Sequence, residues 1–288
     1  MSKEEIDEVT GVSTTGHEWD GIKELNNPMP RWWVRTFYAT IIWGIAYTIA
    51  MPAWPMIETA TKGVLGYSSR AELRTELDDA TAAQASRRTA IKAKPLTEIL
   101  ADDELRRFAI SAGSAAFKVN CSQCHGSGAQ GSPGYPNLND DDWLWGGNIE
   151  AIYQSVAHGI RFSGDPDTRI SEMPAFAEVL DASQVKAVAA YVASLSGKPS
   201  DSVLVEPGKA VYAENCAACH GDNGHGGRDM GAPNLVDAIW FYGASEQAIA
   251  AQVRAPKHGV MPAWLGRLGE TTVKELAVYV HSLGGGEE

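Results

Sequence analysis

Two short stretches decide the fold, Cys121–His125 (CSQCH) and Cys216–His220 (CAACH). Two cysteines three positions apart, followed at once by histidine, form the covalent attachment pattern of c-type haem. The short arc lets two thiols reach the two vinyl groups on one side of a porphyrin, and the next side chain turns back toward the iron. A zinc site needs a fourth ligand from a compact cluster. A thioredoxin-like dithiol expects a βαβ context. A disulfide between positions i and i+3 leaves His125 and His220 without a role. Cys121, Cys124, Cys216 and Cys219 are therefore expected to carry two covalently bound haem c groups, with His125 and His220 as proximal iron ligands.

Outward from these motifs the chain repeats itself. Gly113 matches Gly208 at the motif's own offset of 95, and Pro136-Asn137-Leu138 matches Pro233-Asn234-Leu235 at 97. Trp143 matches Trp240 at 97, and His158-Gly159 matches His258-Gly259 at 100. Met173-Pro174-Ala175 matches Met261-Pro262-Ala263 at 88, as Tyr191-Val192 matches Tyr279-Val280. The drop from 100 to 88 marks a 12-residue insertion, Arg161–Glu172, in the first copy. The chain thus divides into haem domains at 108–200 and 201–288. Each reads as mostly α, with one helix before the cysteine motif and another at the end of the copy. The closing helices are SQVKAVAAYVASL after Asp181 and TTVKELAVYVHSL before the glycines at 284–286. Pro207 reads as a first helical residue.

The sixth iron ligand follows by elimination. Met173 is the single methionine between the two motifs, and Met230 and Met261 follow the second. Met230 stands 10 residues past His220, too near to cross a haem, whereas Met173 and Met261 lie 48 and 41 residues past their histidines. Each is followed by a proline that stiffens the loop. Met173 and Met261 are the expected ligands, and the spacing leaves open whether each serves its own domain's haem or the neighbour's. His158 and His258 are the rival ligands. His17, His225 and His281 have no partner in the repeat and read as surface residues. An iron with two protein ligands has no open position, which favours electron transfer over catalysis.

Before the repeats, Thr36–Ile57 is a run of 22 residues without a charge. At about 1.5 Å per residue a helix of that length spans roughly the hydrocarbon core. Trp32, Trp33 and Trp54 stand where interfacial aromatics belong. The acid-rich segment before it and the lack of an A-x-A site after it disfavour a cleaved signal. Haem attachment takes place outside the bacterial cytoplasm. Residues 1–35 are therefore expected in the cytoplasm, a single span at 36–57 in the inner membrane, and the rest in the periplasm. Residues 58–107, with nine positive and nine negative charges, read as a helical connector, with Ser69 and Glu72 as a capping box.

A formal net charge of −12 over 288 residues excludes a nucleic-acid binder. The haem domains carry −4 and −5. Acidic domains of this kind either steer a basic donor or simply stay soluble, and Asp140, Asp141 and Asp142 are the densest cluster.

The segment HEWDGIKELNNPMPRWW, one membrane helix, a connector and two CxxCH domains together resemble the di-haem subunit family (subunit III) of cbb3-type cytochrome c oxidases. The resemblance implies an N-terminal transmembrane helix followed by two tandem class I cytochrome c-like domains. It also implies partners: a catalytic haem–copper subunit that reduces dioxygen, a mono-haem cytochrome subunit and a donor cytochrome c. By that reading the chain relays electrons and has no oxygen-reducing site. The competing functions are the cytochrome subunit of a membrane dehydrogenase, a di-haem peroxidase and a gas or redox sensor.

Overall fold

The computed structural model describes residues 5–197 and 201–287. The chain forms two compact units, one ending at Ala83 and one starting at Gln84.

The first unit opens with a hairpin. β1 (Thr14–Trp19) pairs antiparallel with β2 (Ile22–Leu25), with Trp19 opposite Ile22 and Glu18 opposite Lys23. Asp20 and Gly21 both have positive φ, 48° and 82°, the backbone of a type I′ turn, for which Asp-Gly is a favoured pair. Helix α1 (Arg31–Ala50) follows Pro30.

The charge-free run 36–57 is not one helix. Pro52 has no N–H to donate and pushes the residue before it out of the helical region. Met51 accordingly has φ −110° and ψ 161°, and α1 stops at Ala50. The chain then folds back, and the N–H groups of Val64 and Leu65 donate to the carbonyls of Ile49 (3.0 Å) and Ala50 (3.1 Å). Among the described residues no helix is long and apolar enough to cross a membrane. None of the residues of α1 is buried in the chain.

Helix α2 (Ser69–Ala93) is capped by Ser68 rather than Ser69, since the Ser68 hydroxyl and carbonyl accept from Ala71 and Glu72. Its last turns do not belong to a solvated connector. Ile91 on α2, and Leu96 and Ile99 on α3 (Leu96–Ala101), are buried in a core. α4 (Asp103–Asn120) follows, with the Asp102 carboxylate accepting from the N–H groups of Glu104 and Leu105. Then come α5 (Ser122–His125), α6 (Ile149–His158), α7 (Ala182–Leu195) and α8 (Val205–Asn215). α9 (Ala217–His220), α10 (Glu246–Arg254) and α11 (Leu265–His281) complete the chain, α11 being broken at Gly269, φ 77°. Pro207 is third in α8 rather than first, still inside the turn whose N–H groups have no intrahelical partner.

The second unit holds two hydrophobic cores, and neither coincides with a sequence repeat. In the first, α11 lies across α4 and α6; in the second, α7 lies across α8 and α10. Each core thus takes its cysteine-bearing helix from one repeat and its closing helix from the other. Division at residue 200 cuts between two helices that pack on each other. The physical reason is proximity along the chain: α7 ends at Leu195 and α8 begins at Val205, so they close as an antiparallel pair at little loop entropy. That leaves α11 to complete the first core. The two crossings are equivalent. A Cβ on Gly113 would lie 2.1 Å from the Glu275 carbonyl oxygen, and one on Gly208 2.0 Å from that of Ala187. Only glycine lets these backbones touch.

Candidate functional site

Both cysteine motifs are built alike. α4 ends at Cys121, and the N–H groups of Cys124 (3.1 Å) and His125 (3.0 Å) donate to its carbonyl. In the second copy Cys219 (3.1 Å) and His220 (3.0 Å) donate to Cys216 in the same way. Gly126 (φ 81°) and Gly221 (φ 75°) end each turn. The result sets one half-buried and one exposed cysteine on a single turn, with the histidine facing inward.

The Nδ1 atoms of His125 and His220 lie 3.1 Å from the carbonyl oxygens of Pro136 and Pro233. A carbonyl can only accept, so Nδ1 carries the proton and Nε2 presents a lone pair. Burial lowers both imidazole pKa values, which keeps the ring in the neutral form that binds iron. The repeated Pro-Asn-Leu triplets were visible in the sequence, but their part in orienting the histidines was not. Burial also pushes the Cys121 and Cys216 thiols up to about 11, so neither is a reactive thiolate. All four cysteines are free. Among the described residues neither motif gathers the further His, Cys, Asp or Glu that a zinc site requires. Paired thiols on one turn and a fixed histidine suit haem c.

The two methionines reach opposite cores. Met261 and Ile160 exchange backbone hydrogen bonds of 2.9 and 3.0 Å, and the N–H of Trp264 donates to Val156 and Ala157 at the end of α6. Gly159, φ 71°, makes room for this strand, since a Cβ there would lie 2.2 Å from the Met261 oxygen. Met261 packs in the core that contains Cys121, and Met173 in the core that contains Cys216.

The insertion Arg161–Glu172 braces this arrangement. Arg161 donates from Nε to the Gly259 carbonyl at 2.7 Å and from Nη1 to Ser171 at 3.0 Å. It therefore ties the strand before Met261 to the first repeat. Asp165 holds His158 at Nδ1, 3.1 Å away. His258 is exposed. His281 is not a free surface residue, because its Nε2 lies 2.9 Å from the Glu287 carbonyl.

A cavity of about 230 Å³ lies between the two repeats, lined by Asp142 and Trp143 on one side and His225 and Arg228 on the other. Asp140 and Asp142 are part-buried near it, and Asp237 is close enough for its charge to act on both. Burial first, and then the charge of Asp237, raise the Asp142 carboxyl to about 6. Of the acidic cluster, only Asp141 is free in solvent. The C-terminal tail straps the same seam. The Glu287 carboxylate accepts from the Gly147 N–H (2.8 Å) and from Arg228 (2.9 Å), while Trp143 Nε1 donates to Gly285.

A helical protein with two Cys-turn-His sites, each with an oriented histidine, is a c-type cytochrome. The family model for the N-terminal domain of cytochrome oxidase-cbb3, FixP, matches residues 11–58. The model for cytochrome c oxidase, cbb3-type, subunit III matches residues 108–192 and 204–280. The chain is 65% identical to a cbb3-type cytochrome c oxidase subunit FixPc of Rhizobium leguminosarum bv. viciae, over 99% of this chain and 100% of that one. It is 62% identical to the FixP subunit of Rhizobium meliloti over 98% of each chain. It is 51% identical to the CcoP subunit of Cereibacter sphaeroides over 95% of each. The chain belongs to the subunit III family of cbb3-type cytochrome c oxidases.

Proposed function

We propose that the chain is the electron-relay subunit of a cbb3-type oxidase, holding two haem c groups and passing electrons from a donor cytochrome toward a mono-haem and a haem–copper subunit. The observation that carries this reading is the twice-built site, a cysteine turn followed by a histidine whose Nδ1 is held by a proline carbonyl. Cys121 and Cys124 tether the first haem, and Cys216 and Cys219 the second. When bound, haem c accepts and gives up one electron at its iron. His125 and His220 present Nε2 from a fixed ring. The packing supports an exchanged ligand set, with Met261 serving the haem on Cys121 and Cys124 and Met173 the haem on Cys216 and Cys219. A thioether together with an imidazole would give the iron a higher reduction potential than two imidazoles. Two protein ligands per iron leave no open position for dioxygen.

Since α1 alone is not long and apolar enough to cross a membrane, the anchor in this reading is α1 together with the charge-free turn at 51–57 that follows it. The apolar side chains of α1 face outward all round, as suits a lipid surroundings. Arg31 and Arg35 lie in its first two turns, where long side chains snorkel to the interface. Residues before the helix are cytoplasmic, and the haem domains periplasmic.

The test is a redox titration of the purified chain with its haem content counted. Two haems per chain are expected. Met261→His lowers the potential of the haem on Cys121 and Cys124, and Met173→His that of the other. One haem or none overturns the site, and unshifted potentials overturn the methionine assignment. Purification in mild detergent without a haem–copper subunit overturns the oxidase reading.

A further inference from the structure

The two cysteine turns are equivalent in fold but opposite in charge at the surface. Around exposed Cys124 stand Lys118 and Val119 on the last turn of α4, Gln123 between the cysteines, and Arg267 on the first turn of α11. Val119 is 70% exposed. Val119, Gln123, Trp264 and Arg267 line one groove, and the Arg267 guanidinium lies 4.9 Å from the Trp264 ring centre. This rim carries two cations. The repeat offsets convert Lys118 to Ala213, Val119 to Glu214, Gln123 to Ala218 and Arg267 to Val179. Glu178 stands beside Val179, and all five residues are exposed, Val179 by 66%. By this repeat equivalence the corresponding face of the second core carries Glu214 and, one residue before the counterpart of Arg267, Glu178. Among the described residues Lys118, Glu178 and Glu214 form no ion pair.

We propose that the exposed-cysteine face of the second core, marked by Glu178 and Glu214, is the docking port for a lysine-rich soluble redox protein, and that the cationic face of the first core excludes it. The inference rests on the haem sites proposed above. An apolar centre with a charged rim suits a transient partner: the rim sets encounter rate and orientation, and the centre brings the cofactor edges together. The carrier gives up one electron and is oxidised, the haem of the second core gains it, and no bond or proton is exchanged. Charge on the seam cluster plays a smaller part, because Asp140 and Asp142 are part-buried.

The test measures association of the haem-loaded full chain in detergent with a mammalian mitochondrial cytochrome c, a lysine-rich probe, by surface plasmon resonance at low and high salt. Glu178→Lys combined with Glu214→Lys is expected to lower the association rate about ten-fold at low salt and to flatten its salt dependence. Lys118→Glu is expected to leave the rate unchanged or raise it. Unchanged association in the double variant, or a loss in Lys118→Glu, overturns the proposal. Haem content, counted on the same samples, separates the two failures. A chain without two haems refutes the site, whereas two haems with an indifferent double variant refute only the port.

Discussion

Tyr191→Ala tests the exchange of closing helices most directly. By sequence Tyr191 belongs to the first repeat. In the fold it is 9% exposed in the second core, its ring 5.1 Å from that of Tyr212 at 56°. The Tyr212 hydroxyl donates to the Gly221 carbonyl at 2.8 Å, one residue past His220. Truncating a buried aromatic costs about 3–5 kcal/mol. The lower end applies because the ring reaches the edge of the core, and the lost ring pair accounts for roughly 1 kcal/mol of it. A loss of about 3 kcal/mol is a factor of more than 100 in the opening equilibrium. Peptide-resolved hydrogen exchange on the haem-loaded chain reads it core by core. Exchange is expected to rise by about that factor in α8 and α10 and to stay near the parent value in α4 and α6. The Soret band of the haem beside His220 broadens or shifts as Tyr212 loses its support. If α4 and α6 lose protection while α8 and α10 keep it, the closing helices belong to their own repeats and the exchange is refuted.

Other perturbations read the seam and the buried charges. The Asp142 carboxyl is raised from 3.8 to about 6, so its favourable contribution is complete below pH 3.8 and is lost as pH rises through 6. Asp142→Asn is therefore expected to raise Tm over the parent at pH 8, with the gap closing by pH 4; a constant gap in a melting series refutes it. Glu275 is 1% exposed on α11, with one oxygen unpartnered and the other 3.4 Å from Arg88, and burial raises its pKa despite that cation. The sign is the same, so Glu275→Gln is expected to melt higher at pH 7 and equally in acid. Deleting residues 284–288 removes the Glu287 bridge between Gly147 and Arg228. Proteolytic cleavage near 143–147 and 226–231 is expected to quicken while α4 and α11 keep their hydrogen-exchange protection.

The two cysteine turns were legible because their residues are contiguous, and the duplication was legible because it repeats them. The exchange of closing helices was not. The endings AYVASL and VYVHSL are so alike that either suits either glycine groove, and the choice falls to the short link between Leu195 and Val205. The hairpin's signal in the sequence is the pair Asp20-Gly21. The end of α1 is legible in Pro52, although the absence of charge continues to Ile57. The three C-terminal glycines read as a helix stop. That they carry a strap to Arg228 depends on contacts 59 residues apart, which no local pattern reveals.

The exchange also bears on what a relay requires. Two tandem cytochrome domains on a linker would hold their cofactors at a variable separation. Here α7 is continuous, through its short link, with the helix it packs on, while the first core waits for α11 from the far end of the chain. Neither core is complete without both repeats, and Arg161, Arg228 and Glu287 tie the loops between them. A pair of sites built this way shares its supporting helices, so their separation does not depend on a free linker. The cost falls on folding. The contact of α4 with α11 closes a loop of more than 140 residues, and such non-local pairing is slow. The second core, whose α7 and α8 are neighbours, is the one expected to form first, before α11 returns to α4 and α6.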